Sequence, residues 1–189
     1  TNRYEIMVVM TGGIDGDVSL NVLGLTTTAT FGIRINTTVR EINQTTVVNG
    51  NSVALTLPQG RFLRIEATNV EIEIAGQTLS GDFFFESATN QFGERVITVA
   101  AANVTMDLGG VVSVTQGQGV FLLDSTGMAG QLSATVSVDI AGDIQFMGDF
   151  KLAINNRMAS VNETVTVGTT VIPVNLPMGA YIRVEGSNI

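Results

Sequence analysis

The side chains that could do chemistry in this chain are few, and the missing types narrow them further. Its 189 residues include no Cys and no His. Ser-His-Asp and Cys-His arrangements are therefore excluded, as are ordinary zinc sites. Carboxylates remain. Glu71 and Glu73 alternate with Val70, Ile72 and Ile74, which sets both acids on one side of a single strand, whereas a glycosidase pair must face each other across a cleft. Asp15-Gly16-Asp17 offers oxygen ligands around a glycine, but calcium takes about six to eight oxygens and the corresponding later residues are Ala129-Gly130-Gln131. Turn chemistry is the reading there, and equally for Asp82, Asp143 and Asp149, each of which follows a glycine. Gly109-Gly110 and Gly117-Gln118-Gly119 lack the Lys and the following helix that would hold phosphate. Asn-x-Ser/Thr triplets at Asn36, Asn43, Asn103 and Asn162 matter in a eukaryotic secretory setting and otherwise serve strand ends. The chain is thus expected to carry no catalytic residue, no metal site and no cofactor.

The elements that position these residues read as strands throughout. Val18, Leu20 and Val22, then Phe31, Ile33 and Ile35, then Val136, Val138 and Ile140 recur at a spacing of two, and no window shows a helical period. An apolar run, Ile6 to Met10, precedes a turn-like Gly12-Gly13-Ile14-Asp15-Gly16-Asp17. Asn49-Gly50 suits a two-residue hairpin turn, and Leu57-Pro58-Gln59-Gly60 and Leu176-Pro177-Met178-Gly179 fit type I turns. Phe62, Arg64 and Glu66 share one strand face and should cover one another; Tyr181, Arg183 and Glu185 reproduce the set. Phe83-Phe84-Phe85 and Val120 to Leu123 are apolar on both faces, which predicts strands covered on both sides.

Larger than any local motif is an internal likeness. Residues 31–70 and 150–189 superimpose without a gap at an offset of 119, with twelve identities over forty positions, among them Asn36/Asn155, Leu57/Leu176, Pro58/Pro177, Gly60/Gly179, Arg64/Arg183 and Glu66/Glu185. This reads as an internal repeat of about 119 residues. It divides the chain into the end of one repeat (1–30), one full repeat (31–149) and the start of the next (150–189), and it predicts that the chain is an excerpt from a longer array. A weaker echo at offset 34 aligns Ala67-Thr68-Asn69-Val70 with Ala101-Ala102-Asn103-Val104. The expected fold is all-β and essentially without helix: an antiparallel meander of hairpins forming stacked repeats, either sandwich-like or an elongated rod.

Net charge is −8, with a single Lys, which argues against nucleic acid as a partner. No apolar run approaches the roughly 20 residues of a membrane-spanning helix, and no targeting segment is visible. The Gly-Asp-Phe, Ile-Asn, Val-Asn, Leu-Pro-x-Gly and Arg-x-Glu phrases of the repeat resemble the tandem units of very long bacterial surface or secreted proteins of the adhesin-like class. The resemblance implies an extracellular or cell-surface location and a structural role in a fibre, stalk or surface layer, without catalysis. Partners are then neighbouring repeats or identical chains meeting through strand edges. Two alternatives stand beside it. One is a carrier whose β-groove, lined by Phe83 to Phe85 and Phe121 to Leu123, shields a lipid; the other is a carbohydrate-binding module, weakened by the lack of Trp.

Overall fold

A computed structural model describes residues 10–22, 25–74, 77–90 and 92–189. Most of the Ile6–Met10 run lies outside them. The fold is all-β, with no helix among the described residues. Thirteen strands run β1 (Thr11–Val22), β2 (Leu25–Asn36), β3 (Ile42–Val48), β4 (Asn51–Leu57), β5 (Phe62–Ile74), β6 (Gln77–Thr89), β7 (Arg95–Leu108), β8 (Val112–Asp124), β9 (Gly127–Ile140), β10 (Ile144–Asn155), β11 (Val161–Val167), β12 (Thr170–Leu176) and β13 (Tyr181–Ser187). Nine of them form one antiparallel sheet in the order β1-β2-β5-β6-β7-β8-β9-β10-β13, and it does not close into a barrel. The other four make two hairpins, β3–β4 and β11–β12, each an excursion between two adjacent sheet strands.

The two matched segments fold alike. Adding 119 to the bounds of β2, β3 and β4 gives those of β10, β11 and β12 at both ends, and the starts of β5 and β13 correspond as well. The same residue types also do the same work. Asn36 is fully buried at the end of β2. Its Nδ2 donates to the carbonyls of Arg40 and Pro58, both at 2.8 Å, and its Oδ1 accepts from the Thr38 N–H at 2.9 Å. Asn155, equally buried, donates to Ala159 (2.9 Å) and Pro177 (2.7 Å) and accepts from Arg157 N–H at 2.9 Å. One side chain thus satisfies three loop backbone groups at the base of the hairpin. Gly60 and Gly179, at φ 91° and 94°, complete each base by donating from N–H to Thr38 and Arg157 carbonyls. The Leu-Pro-x-Gly phrases are therefore connections docked onto a neighbouring loop.

The main core lies between β11–β12 and the sheet. Val161, Val165, Val167, Ile172, Val174 and Leu176 bury one face of the hairpin against Phe84, Ala100, Ala102, Val120, Leu122 and Ala129. Alanines on β7 and β9 let the hairpin backbone approach closely. Its far end is held by Asn103, whose Nδ2 lies 2.8 Å from Asp82 Oδ2 and 3.1 Å from Thr170 Oγ1.

Several expectations are corrected. Gly12 to Asp17 is not a turn but the interior of β1. Its small residues make room for a bidentate Arg34–Asp15 ion pair (2.7 and 2.8 Å) that crosses between strands; a Cβ on Gly13 would lie 2.8 Å from Arg34 Cδ. Asp82 and Asp149 also sit inside strands, β6 and β10, and only Asp143 is in a turn. Strands with two apolar faces are covered on one side only among the described residues, by the hairpin.

Candidate functional site

The candidate site is a surface, and strand register builds it. Residues that alternate with the core positions point to the other side of the sheet, which we call the open face. One cross-strand row there runs Ile33, Ile65, Phe85, Val99 and Phe121, passes Gly130 and continues to Ile154 and Ile182. Gly130 is required in that row, because a Cβ there would collide with the Phe121 ring. A second row carries Phe31, Ala67, Phe83, Ala101, Leu132 and Leu152. Ala29, Ala67 and Val70 form a small buried cluster with Ile72 and Phe83 within this face. Elsewhere it stays wet: Val99 is 42% exposed, Phe146 40% and Val184 72%.

Long strands normally lose such alternation wherever the ladder slips, and a row of bulges preserves it here. Asn69 in β5, Asn103 in β7 and Gln116 in β8 all have φ of 51–54°, each at a register shift. Each bulge inserts one residue, so in β5 the apolar positions switch from 63, 65 and 67 to 70 and 72 without changing face. Two of the three bulge residues are Asn, which tolerates left-handed backbone. The carboxylates are drawn to this line. Asp82 accepts from the Asn69 N–H at 2.9 Å, and Asp149 accepts from the Thr135 hydroxyl and the Asn188 amide at 2.5 and 2.6 Å. Those two bonds hold the Asp149 carboxyl below its ordinary pKa.

On the hairpin side, beyond the hairpin, the sheet is polar. Glu71 pairs across to Ser80, which hydrogen-bonds Thr105 at 2.6 Å; Thr115, Thr135 and Asp149 form a similar row. Glu71 and Glu73 lie on this side, paired across to Ser80 and Thr78 of β6. Arg64 lies over the rings of Phe62 and Phe84, 5.7 and 5.3 Å from their centroids, and donates from Nε and Nη2 to Glu86 at 2.8 and 2.6 Å. Its carboxylate partner is thus on the neighbouring strand and is not Glu66. Arg183 instead pairs along its own strand with Glu185. Of the four triplet asparagines, Asn36 is buried and so closed to any modifying enzyme, whereas Asn43, Asn103 and Asn162 are exposed.

Two features escaped sequence reasoning. The Asn36/Asn155 clamp was visible only as an identity. The Arg157–Asp124 ion pair, 2.5 Å long with side chains 16% and 5% exposed, joins the β10–β11 loop to the end of β8 and had no signal. Burial pushes the Asp124 carboxyl up, but hydrogen bonds from Thr126 and the Arg157 charge outweigh it, leaving the pKa lowered.

Among the described residues no group of three or more His, Cys, Asp or Glu is placed to hold a metal, and no helix is long and apolar enough to cross a membrane. What the arrangement offers chemically is area: nine strands at about 4.8 Å give a face roughly 40 Å across. With strands of twelve or more residues over most of it, it carries large apolar side chains left partly exposed, among them Phe31, Ile33, Val99, Leu132 and Phe146 at 37–42%, and a contiguous exposed apolar face marks an interaction surface. Comparison with protein-family models, curated proteins and solved structures finds no match.

Proposed function

We propose that the chain is a non-catalytic structural segment of an extracellular fibre, stalk or surface layer that grows by adding strands to one sheet. The observation that carries this reading is the placement of the matched segments. Their sheet strands lie in one uninterrupted sheet, and β10 and β13, the counterparts of β2 and β5, each come six sheet strands further on. Among the described residues β1 and β13 each pair on one side only, so the sheet can be continued at both edges. Six strands at about 4.8 Å give an axial rise of about 29 Å per 119 residues. Electron microscopy of the native material tests it: rods with a layer line near that spacing support the proposal, and small discrete particles refute it.

One observation favours a second reading. The open face is wide, apolar and polarised against a hydrophilic opposite side, as a surface that shields acyl chains must be. Native mass spectrometry separates the two, because a carrier retains lipid and a structural segment does not.

A further inference from the structure

We infer that β3–β4 is a clasp for a sheet that continues past β1, and that its apolar face seats on strands of another repeat of this type. The inference rests on the array reading and adds how the repeats interlock. The comparison is internal to the chain. On β11–β12 the docked positions are buried, with Ile172 at 2% and Leu176 at 5% exposure. The first hairpin carries Ile42, Val53, Leu55 and Leu57 where the second has Val161, Ile172, Val174 and Leu176. Leu57, at the base, is 0% exposed, but Val53 toward the tip is 51% exposed.

The base clamps are the same, so both hairpins leave the sheet in the same way. They differ in the floor beneath them. β11–β12 reaches back over β9, β8, β7 and β6; β3–β4 meets β2 at its base, and among the described strands the sheet offers only β1, the counterpart of β9, beyond β2.

The missing floor can be specified. It consists of three antiparallel strands beyond β1 that present small and branched residues like Ala100, Ala102 and Val120, with an Asn at a bulge to meet Asn51 as Asn103 meets Thr170. A second whole copy fits poorly. Its own floor is already occupied by its β11–β12. In a nine-stranded antiparallel sheet β1 and β13 also run the same way, so a translated copy requires parallel pairing. Three intervening strands restore the alternation, and three is the number that separates β5 from β9.

The test uses the 189-residue chain and a longer one in which residues 77–126 replace residues 1–8, thereby supplying β6–β8 ahead of β1. The chain has no Cys, so Val53→Cys, Ile172→Cys and Thr45→Cys (on the outward face of the hairpin) each give a single thiol for alkylation. The thiol at position 53 should react freely in the 189-residue chain and at least about tenfold more slowly in the longer one. The thiol at position 172 should be protected in both chains, and the one at position 45 reactive in both. Amide exchange over Ser52–Thr56 reads the same change without substitution. The longer chain should also gain about 14 Å in maximum dimension by small-angle scattering. Lengthening with position 53 still reactive overturns the clasp and leaves the array standing. No lengthening overturns both. Protection of position 53 in the 189-residue chain that rises with concentration assigns the surface to a second copy and also overturns the inference.

Discussion

Replacing Asn155 with alanine should release the β11–β12 hairpin from its base, and the structure sets the size of the effect. Three hydrogen bonds are lost, two donated by Nδ2 and one accepted by Oδ1, all between 2.7 and 2.9 Å. A hydrogen bond contributes a net of about 1 kcal/mol, and a buried group left without a partner costs about 1–3 kcal/mol. Because the loop can partly open to water, the expected loss is about 3–5 kcal/mol. With an m-value near 2 kcal/mol/M, that moves the urea midpoint down by about 1.5–2.5 M. Asn155→Asp should be worse at neutral pH, since it places a buried charge against the carbonyls of Ala159 and Pro177. Asn36→Ala supplies the control. It removes the same three bonds from a hairpin that buries little, so it should raise amide exchange in β3–β4 while leaving the global midpoint within about 0.5 M. If Asn155→Ala unfolds within about 0.5 kcal/mol of the parent, the clamp does not hold the hairpin and the reasoning is wrong.

Three further outcomes follow from the same structure. Leu122→Ala, at a core position 1% exposed, should cost about 2–5 kcal/mol, whereas Phe146→Ala on the open face should cost less than about 1 kcal/mol in urea melts of the isolated chain. Gly179→Ala should cost about 1–2 kcal/mol by the same assay although its Cβ meets no atom within 4 Å, because the residue sits at φ 94°. The Asp124 pKa is lowered from 3.8, so its contribution is present above that value and is lost as pH falls through the lower folded pKa. Amide exchange around Met128 and Asn156 should therefore increase in the acid limb, and Asp124→Asn should abolish that dependence.

The fold class was legible because period-two alternation is strong and nothing competes with it. The hairpins were legible from Asn49-Gly50 and from the match to Gly168. The interior of β1 was not. Gly and Asp in Gly12 to Asp17 mark turns by local propensity, but here a cross-strand Arg34 needs the space above Gly13, and tertiary demand overrides propensity. Asp82 and Asp149 misled for a related reason: they serve bulges, which share with turns a taste for Gly and acids. The bulges had a signal of their own in the parity break at Asn69 and Asn103, which the offset of 34 residues registered without its cause. The open face was misread because apolar residues on both sides of a strand announce two contacts without naming the second partner.

The hairpin that lies across β6 to β9 has a mechanical meaning. In a sheet extended strand by strand, tension along the long axis pulls across the strands and meets their hydrogen bonds a few at a time, as in unzipping. A hairpin anchored at Asn155 on one side and at Asn103 on the other spans several ladders at once. Load is then shared between the ladders and a strap of packed Val, Ile and Leu, which has to shear as a unit before the strands beneath it can part.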